Sequence, residues 1–304
     1  MTSAHRGKGG SHGKISECLR KKALARGRPM GRASAERRGR GGDGHGSSLV
    51  AKAVHSSGEV GIADALRKAK SHGLFASLVR AYETFPESTC DGCARCCFES
   101  PGIFFVEYLR LMALVETMPQ ARRDALMLRV IGDLCFAWID PGRTCVFLES
   151  SRCTIYADRP LACRLFGFVA PGDREAAEVA ARISAREEAR RLACLGIIIP
   201  EEVVTRSLVS CDRVRDRHDR PVRHVDADEL ASRIANIDAA LLPREVVLQE
   251  FCFRSMPERL GAMWFGDAAV ETMRIEMLKR AQSGEDVDEL INELRRMAGN
   301  RGRR

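Results

Sequence analysis

Four cysteines fall within eight residues at Cys90-Asp-Gly-Cys93-Ala-Arg-Cys96-Cys97, and three more follow at Cys145, Cys153 and Cys163. A Cys-x-x-Cys turn lets two sulfurs converge on one metal without strain. Chained twice, as in Cys90, Cys93 and Cys96, it delivers three sulfurs from a single loop. That spacing matches the first three ligands of the bacterial ferredoxin run, but the fourth, three residues on and followed by proline, is missing. A cysteine from elsewhere in the chain must replace it. Neighbouring side chains point apart, so the Cys96–Cys97 pair suits bridging, two metal centres, or one ligand beside one supporting thiol. Seven or eight thiolates are enough for two tetrahedral zinc ions, whereas one four-iron cluster uses four. Either occupant concentrates negative charge, and Arg95, Arg143, Arg152, Arg159 and Arg164 are interleaved with the cysteines to offset it.

The elements that must position these thiols are mostly helical. Residues 60–85 carry Ile62, Leu66, Ala69, Leu74, Leu78 and Tyr82 at helical spacing, interrupted by Gly73, and predict one or two helices closed by Pro86. Phe104, Tyr108, Leu111, Val115 and Met118 form one apolar stripe on a core helix that Pro119 stops. A second helix is expected over 120–132, ending near Gly132. Cys135–Ile139, Thr144–Leu148 and Cys153–Tyr156 are short, aromatic and β-branched, and predict a small antiparallel meander. Asp158 and Pro160 are helix-start residues, which puts Cys163 in the first turn of a short helix, where free N–H groups favour a thiolate. Residues 173–193 predict an exposed helix with Glu178–Arg182 and Glu187–Arg191 pairs. Pro200-Glu-Glu opens another helix, through about Ser210, that delivers Cys211. Residues 226–298 predict three or four amphipathic helices, with stripes at Leu230/Ile234/Ile237/Leu241, Val270/Met273/Met277 and Val287/Leu290/Leu294/Met297.

The chain of 304 residues has material for one large or two small domains. Its twelve cysteines and lack of a secretory h-region imply a cytoplasmic location, where thiols stay reduced and serve as ligands rather than disulfides. No stretch is long and apolar enough to span a membrane, the longest being Leu192–Ile199. Residues 1–46 hold 12 Lys and Arg against 3 Asp and Glu, and the other residues hold 37 against 38. The net charge of +8 therefore belongs to the tail, and nucleic acid is an expected partner only through that tail. Residues 1–58 are Gly-, Ser- and Arg-rich and read as disordered. Cys18 is incidental there, and Cys135 and Cys252 read as buried core thiols. The histidines (His5, His12, His45, His55, His72, His218 and His224) lie outside the cysteine block and are not read as ligands.

The order Cys-x₂-Cys-x₂-Cys-Cys, then Cys145-Val-Phe-Leu148, then Cys153-Thr-Ile-Tyr156-x-x-Arg159-Pro160-x-x-Cys163-Arg164 resembles the YkgJ-like cysteine-cluster family of zinc- or iron-chelating domains. The resemblance is tight over 90–166 and extends to about 215. It implies the ligands Cys90, Cys93, Cys96, Cys97, Cys145, Cys153 and Cys163. It also implies one further cysteine downstream, Cys194 or Cys211, of which Cys211 is preferred. Phe166-Gly167 departs from the Phe-Pro common in that family.

The expected fold is mainly α with a small antiparallel β element around a polycysteine metal site, α+β and helix-dominated. The expected division is a basic tail (1–58), a cysteine-cluster domain (59–215), a helical C-terminal region (216–299) able to dock a protein partner, and a basic end (300–304). The function expected is metal binding, with an iron–sulfur cluster preferred over zinc in a structural, redox or metal-handling role. Two alternatives stand beside it. Flagellin lysine N-methylases look similar in part, through a Cys-Cys pair followed by Cys-x-Phe-Leu, Cys-x-Ile and Cys-Arg, which implies a protein-modifying enzyme. Spacing, Arg159-Pro160 and the lack of a recognisable S-adenosylmethionine loop depart from them. The other alternative is an RNA-associated zinc protein using the Arg37–Gly42 segment of the tail.

Overall fold

The helix Phe105–Thr117 (α3) lies at the centre of the chain, because almost every turn of it is apolar on several sides. Val106, Leu109 and Leu111 have no solvent exposure, and Phe105, Tyr108 and Val115 have almost none. In this computed structural model, residues 58–90, 92–99, 102–140, 142–209, 211–241 and 255–301 are described. The expectations for the basic tail, Cys18 and Cys252 lie outside them.

Two helices precede α3, Gly58–Ser71 (α1) and Leu74–Tyr82 (α2), separated where Gly73 takes a left-handed conformation (φ 65°) that a β-carbon would disfavour. Both pack on α3, with Ala65, Leu66, Ala69 and Leu78 buried. Met118 and Pro119 turn the chain into Gln120–Phe136 (α4). This helix runs past Gly132, where a stop was expected. The space beside Gly132 is taken by the Arg143 guanidinium, 2.6 Å from where a β-carbon would sit, so that glycine serves a close approach. Cys135 and Phe136, expected in a strand, form the last turn of α4 and pack on Met277, Leu290 and Leu294.

The expected meander reduces to a minimal hairpin, Leu148–Glu149 (β1) against Arg152–Cys153 (β2), with Leu148 opposite Cys153. Short helices follow at Leu161–Arg164 (α5) and, after the long exposed Pro171–Ala193 (α6), at Glu201–Val204 (α7). The helix expected to reach Ser210 ends at Val204, and Ser210 itself lies outside the described residues. The last four helices are Ala227–Ala239 (α8), Met256–Phe265 (α9), Asp267–Gln282 (α10) and Val287–Arg301 (α11). The architecture is thus helix-dominated with one small antiparallel β element. Among the described residues no helix is long and apolar enough to cross a membrane.

Two buried polar networks bind these elements together. Asp238 of α8 is wholly buried and accepts the N–H groups of Phe105 (2.8 Å) and Val106 (2.7 Å), capping α3 from another helix. Arg274 of α10 is buried among Glu188 of α6 (3.1 Å), Glu258 of α9 (3.4 Å) and Glu271 (2.7 Å). Arg191 joins this group through Glu188 and Glu271, instead of pairing with Glu187 as its spacing predicts. The cluster ties the polar helix α6 to the C-terminal helices. Glu178–Arg182 forms as expected, at 2.5 Å.

Candidate metal centre

The loop bearing the first four cysteines turns through two left-handed residues, Gly92 (φ 68°) and Ala94 (φ 59°). Glycine adopts that conformation freely, while alanine accepts it at a cost of roughly 1–2 kcal/mol, so the surroundings must hold Ala94 in place. A 3₁₀ turn, Arg95–Phe98, then carries Cys96 and Cys97, with the Cys97 N–H donating to the Ala94 carbonyl at 2.9 Å. Two long-range contacts fix this loop. The Cys145 N–H donates to the Cys97 carbonyl (2.6 Å), joining the second cysteine segment to the first. Thr89 and Arg215 exchange N–H···O=C bonds at 2.8 and 3.2 Å, bringing the Cys211 segment beside Cys90.

Between β1 and β2 the chain reverses in two residues, Ser150 and Ser151, both with positive φ (47° and 61°). That is the turn geometry a two-residue hairpin requires, here without the usual glycine. Phe147 and Ile155, buried at either end of the hairpin, anchor it in the core, against which Cys145 and Cys153 both pack. The third segment is placed by a buried acid. Glu107 of α3 accepts the Leu161 N–H (2.6 Å), the Phe104 N–H (2.8 Å) and the Tyr82 hydroxyl. Leu161 opens α5, whose third residue is Cys163. Arg164 lies over the Tyr82 ring at 4.1 Å and donates to the Arg159 carbonyl at 2.7 Å. Burial pushes the Glu107 carboxyl up to about 7 despite its three donors.

These segments enclose a chamber of about 290 Å³ lined by Cys90, Cys96, Cys97, Cys145, Cys153 and Cys163, with Arg152 and Arg159 as its cations. A smaller chamber of about 40 Å³ adjoins it, lined by Cys90, Cys93, Cys96 and Cys211. Cys90, Cys96 and Arg159 line both. Cys97 shares hydrogen bonds with both Cys96 and Cys145, so these three thiols form a chain. Bonding to Cys97, and then burial, holds the Cys96 thiol far above the ordinary thiol range. The bond with Cys145, and then burial, pushes Cys97 up to about 12. Burial, with a smaller contribution from neighbouring Cys96, pushes Cys163 up to about 12 and raises Cys153, against the pull of Arg159. A cation entering here must therefore displace protons, which makes binding pH-dependent. Among the described residues no group of three or more His, Cys, Asp or Glu side chains is gathered closely enough to hold a metal ion as the side chains stand. The set nevertheless fits a thiophilic metal in donor type.

The remaining candidates separate. Cys211 lines the smaller chamber, while Cys194 is exposed just past the end of α6. Cys135 has no solvent exposure and lies in the apolar contact of α4 with α10 and α11. The ten cysteines among the described residues are all free thiols. Of the five interleaved arginines, Arg152 and Arg159 face the larger chamber and Arg164 the smaller. Arg95 lies 3.8 Å from Asp212, and Arg143 points elsewhere, towards Asp140 and the Phe136 ring. Sequence reasoning missed Glu107 and Asp238, the acids that position the site. Their only signal is an acid on an otherwise apolar helix face.

No curated protein and no solved structure matches the chain. Cys194 and Cys211 fall outside the one family match that is found. Residues 89–190, about a third of the chain, match the family model described as CxxCxxCC, putative zinc- or iron-chelating domain, so the cysteine segment is similar to that family.

Proposed function

We propose that the larger chamber holds an iron–sulfur cluster and that the protein serves as an iron–sulfur protein in a redox or metal-handling role, with ligands drawn from Cys90, Cys96, Cys97, Cys145, Cys153 and Cys163. The observation that carries this reading is six thiols lining one half-open space of about 290 Å³. A tetrahedral zinc ion is wrapped by its four sulfurs at about 2.3 Å and leaves no such space, whereas a multi-iron cluster fills one. Arg152 and Arg159 on the chamber wall supply cations to an anionic cluster. Loading requires the thiols to draw together and to lose protons. Zinc is the alternative occupant, and Cys211 with Cys93 offers it the smaller chamber.

The test is anaerobic purification followed by metal analysis, acid-labile sulfide and a visible spectrum on one sample. Stoichiometric iron and sulfide, with a broad absorption band near the 400 nm region typical of such clusters, is the expected result. A colourless protein with one or two zinc ions would replace the cluster by zinc. Metal-free protein with all chamber cysteines open to alkylation would end the metal reading altogether.

A further inference from the structure

A second cavity lies back to back with the larger cysteine chamber. Its volume is about 350 Å³, and Cys97, Glu99 and Cys145 line both spaces. One wall comes from α4 and its C-terminal turn, through Asp133, Ala137 and Trp138; the opposite wall comes from α6, through Ala181, Arg182 and Ala185. Four carboxylates and four guanidiniums line it, and nearly all are committed to partners. Glu99 accepts the Val209 N–H at 3.0 Å and lies 3.6 Å from Arg206. Asp140 accepts the Gly142 N–H at 3.0 Å and lies 3.4 Å from Arg143. Glu258 closes the cap of α9 with Ser255 and lies 3.4 Å from Arg274. Arg182 is held by Glu178, and Arg274 by Glu188 and Glu271 as well. The exception is Asp133. Among the described residues this half-buried carboxylate has no hydrogen bond and no ion pair, although Arg143, Arg206 and Glu258 lie within electrostatic reach.

We propose that this cleft binds a compact organic cation, an aliphatic chain ending in an ammonium or guanidinium, with Asp133 fixing its charged head and Trp138 and the alanines of α4 and α6 walling its stem. An anion meets no uncompensated guanidinium charge here, because each guanidinium already faces a carboxylate, although the buried Nε atoms of Arg143, Arg182 and Arg274 have no hydrogen-bond partner. A divalent metal ion wants several oxygen ligands at once, and the cleft has one uncommitted carboxylate among four arginines. One hydrogen-bonding organic cation matches one unpaired carboxylate, and such charge-assisted bonds are the strong ones. Burial holds the Asp133 carboxyl up to about 6, an unfavourable state that a cation relieves. The bound head would lie against the far side of the Cys97–Cys145 wall. That adjacency gives the site its link to the cluster and rests on the metal reading; the binding itself does not.

The experiment is calorimetric titration of the full chain, as purified, with n-butylammonium, butylguanidinium and butyrate as probes. Both cations are expected to bind and butyrate is not. Asp133→Asn should weaken cation binding about ten- to a hundredfold, the loss of one charge-assisted bond. Asp124→Asn, on the exposed side of α4, should leave it unchanged. Should Asp133→Asn fail to fold, Ala181→Trp fills the cleft from an exposed position on α6 without touching a charge, and should abolish binding. No binding by either cation, equal binding of butyrate, full affinity in Asp133→Asn, or displacement of the cation by Mn²⁺ at equal concentration would each overturn the proposal. Metal content is measured on the same sample. Absence of metal with cation binding intact would count against the cluster alone, and the reverse against the cleft alone.

Discussion

Replacing Glu107 by Gln tests how the cysteine-bearing helix α5 is held. Glu107 is 3% exposed and accepts three hydrogen bonds, two of them from the backbone N–H groups of Phe104 and Leu161. Burial opposes its ionisation more than these donors favour it, so its proton is held up to about 7 from an ordinary 4.5. The folded state therefore binds more protons than the unfolded state between those two values. Stability must fall as pH rises through that window and level off above it. At about 1.4 kcal/mol for each tenfold change in proton affinity, the fall is roughly 3 kcal/mol. Glutamine cannot ionise, and its single carbonyl oxygen can keep the Tyr82 and Leu161 donors while losing the Phe104 N–H, at a cost of about 1–3 kcal/mol at low pH.

The assay is urea unfolding of both proteins, followed by far-ultraviolet circular dichroism from pH 4.5 to 7.5 with a chelator present, so that metal release does not enter. Asp133 and Asp238 also have proton affinities raised by burial and contribute slopes of the same sign. The difference between the two proteins reports Glu107 together with its coupling to Asp238, whose charge helps to raise it. The expected result is a wild-type decline steeper by roughly 3 kcal/mol over the window than that of the glutamine variant. Identical slopes would refute the reasoning, because Glu107 would then be ionised throughout, with its donors outweighing burial.

Three further outcomes follow from the same geometry. Cys97→Ser or Cys145→Ser, which removes a thiol from the hydrogen-bonded chain of the larger chamber, should lower bound metal at least severalfold by elemental analysis. Cys194→Ser, at an exposed site, should leave it unchanged. Asp238→Ala strips the cap from the Phe105 and Val106 amides inside the core and should cost about 2–4 kcal/mol in denaturant unfolding. Leu260→Ala opens a cavity at the contact of α9 with α3 and α4 and should cost about 2–5 kcal/mol, without altering the metal content of the protein that remains folded.

The long apolar stripes were legible because burial imposes helical periodicity on them, and α3, from Phe105 to Thr117, is the clearest case. The run Cys135–Ile139 was misread because five aromatic and apolar residues suit a strand and a buried helix end equally well. What decides between them is contact with Met277, Leu290 and Leu294, more than 130 residues away, which local pattern cannot register. Gly132 was misread for a related reason. A glycine in a helix signals a stop only if nothing needs its missing side chain, and here Arg143 does. Within the site, the cysteine spacing picked out the residues that the fold brings around the two chambers. How they divide between chambers depends on the Cys97–Cys145 and Thr89–Arg215 backbone bonds, and these leave no trace in spacing.

The two acids absent from the sequence reading explain why the cysteine segments have a fixed frame before any metal enters. The start of α3 presents orphan amides at Phe104, Phe105 and Val106, and Glu107 and Asp238 take all three between them. Glu107 then has acceptor capacity left for Leu161, which ties α5 and Cys163 to the same point. Phe147 and Ile155 fasten the hairpin that carries Cys145 and Cys153 to the same core. Two cysteine segments are thus hung from apolar and polar contacts that contain no sulfur. Zinc fingers lack such a frame and fold only with their metal. This frame predicts that metal affinity and fold stability are separable, so that cysteine replacement should lower bound metal while leaving the denaturant midpoint of the chelator-treated protein unchanged.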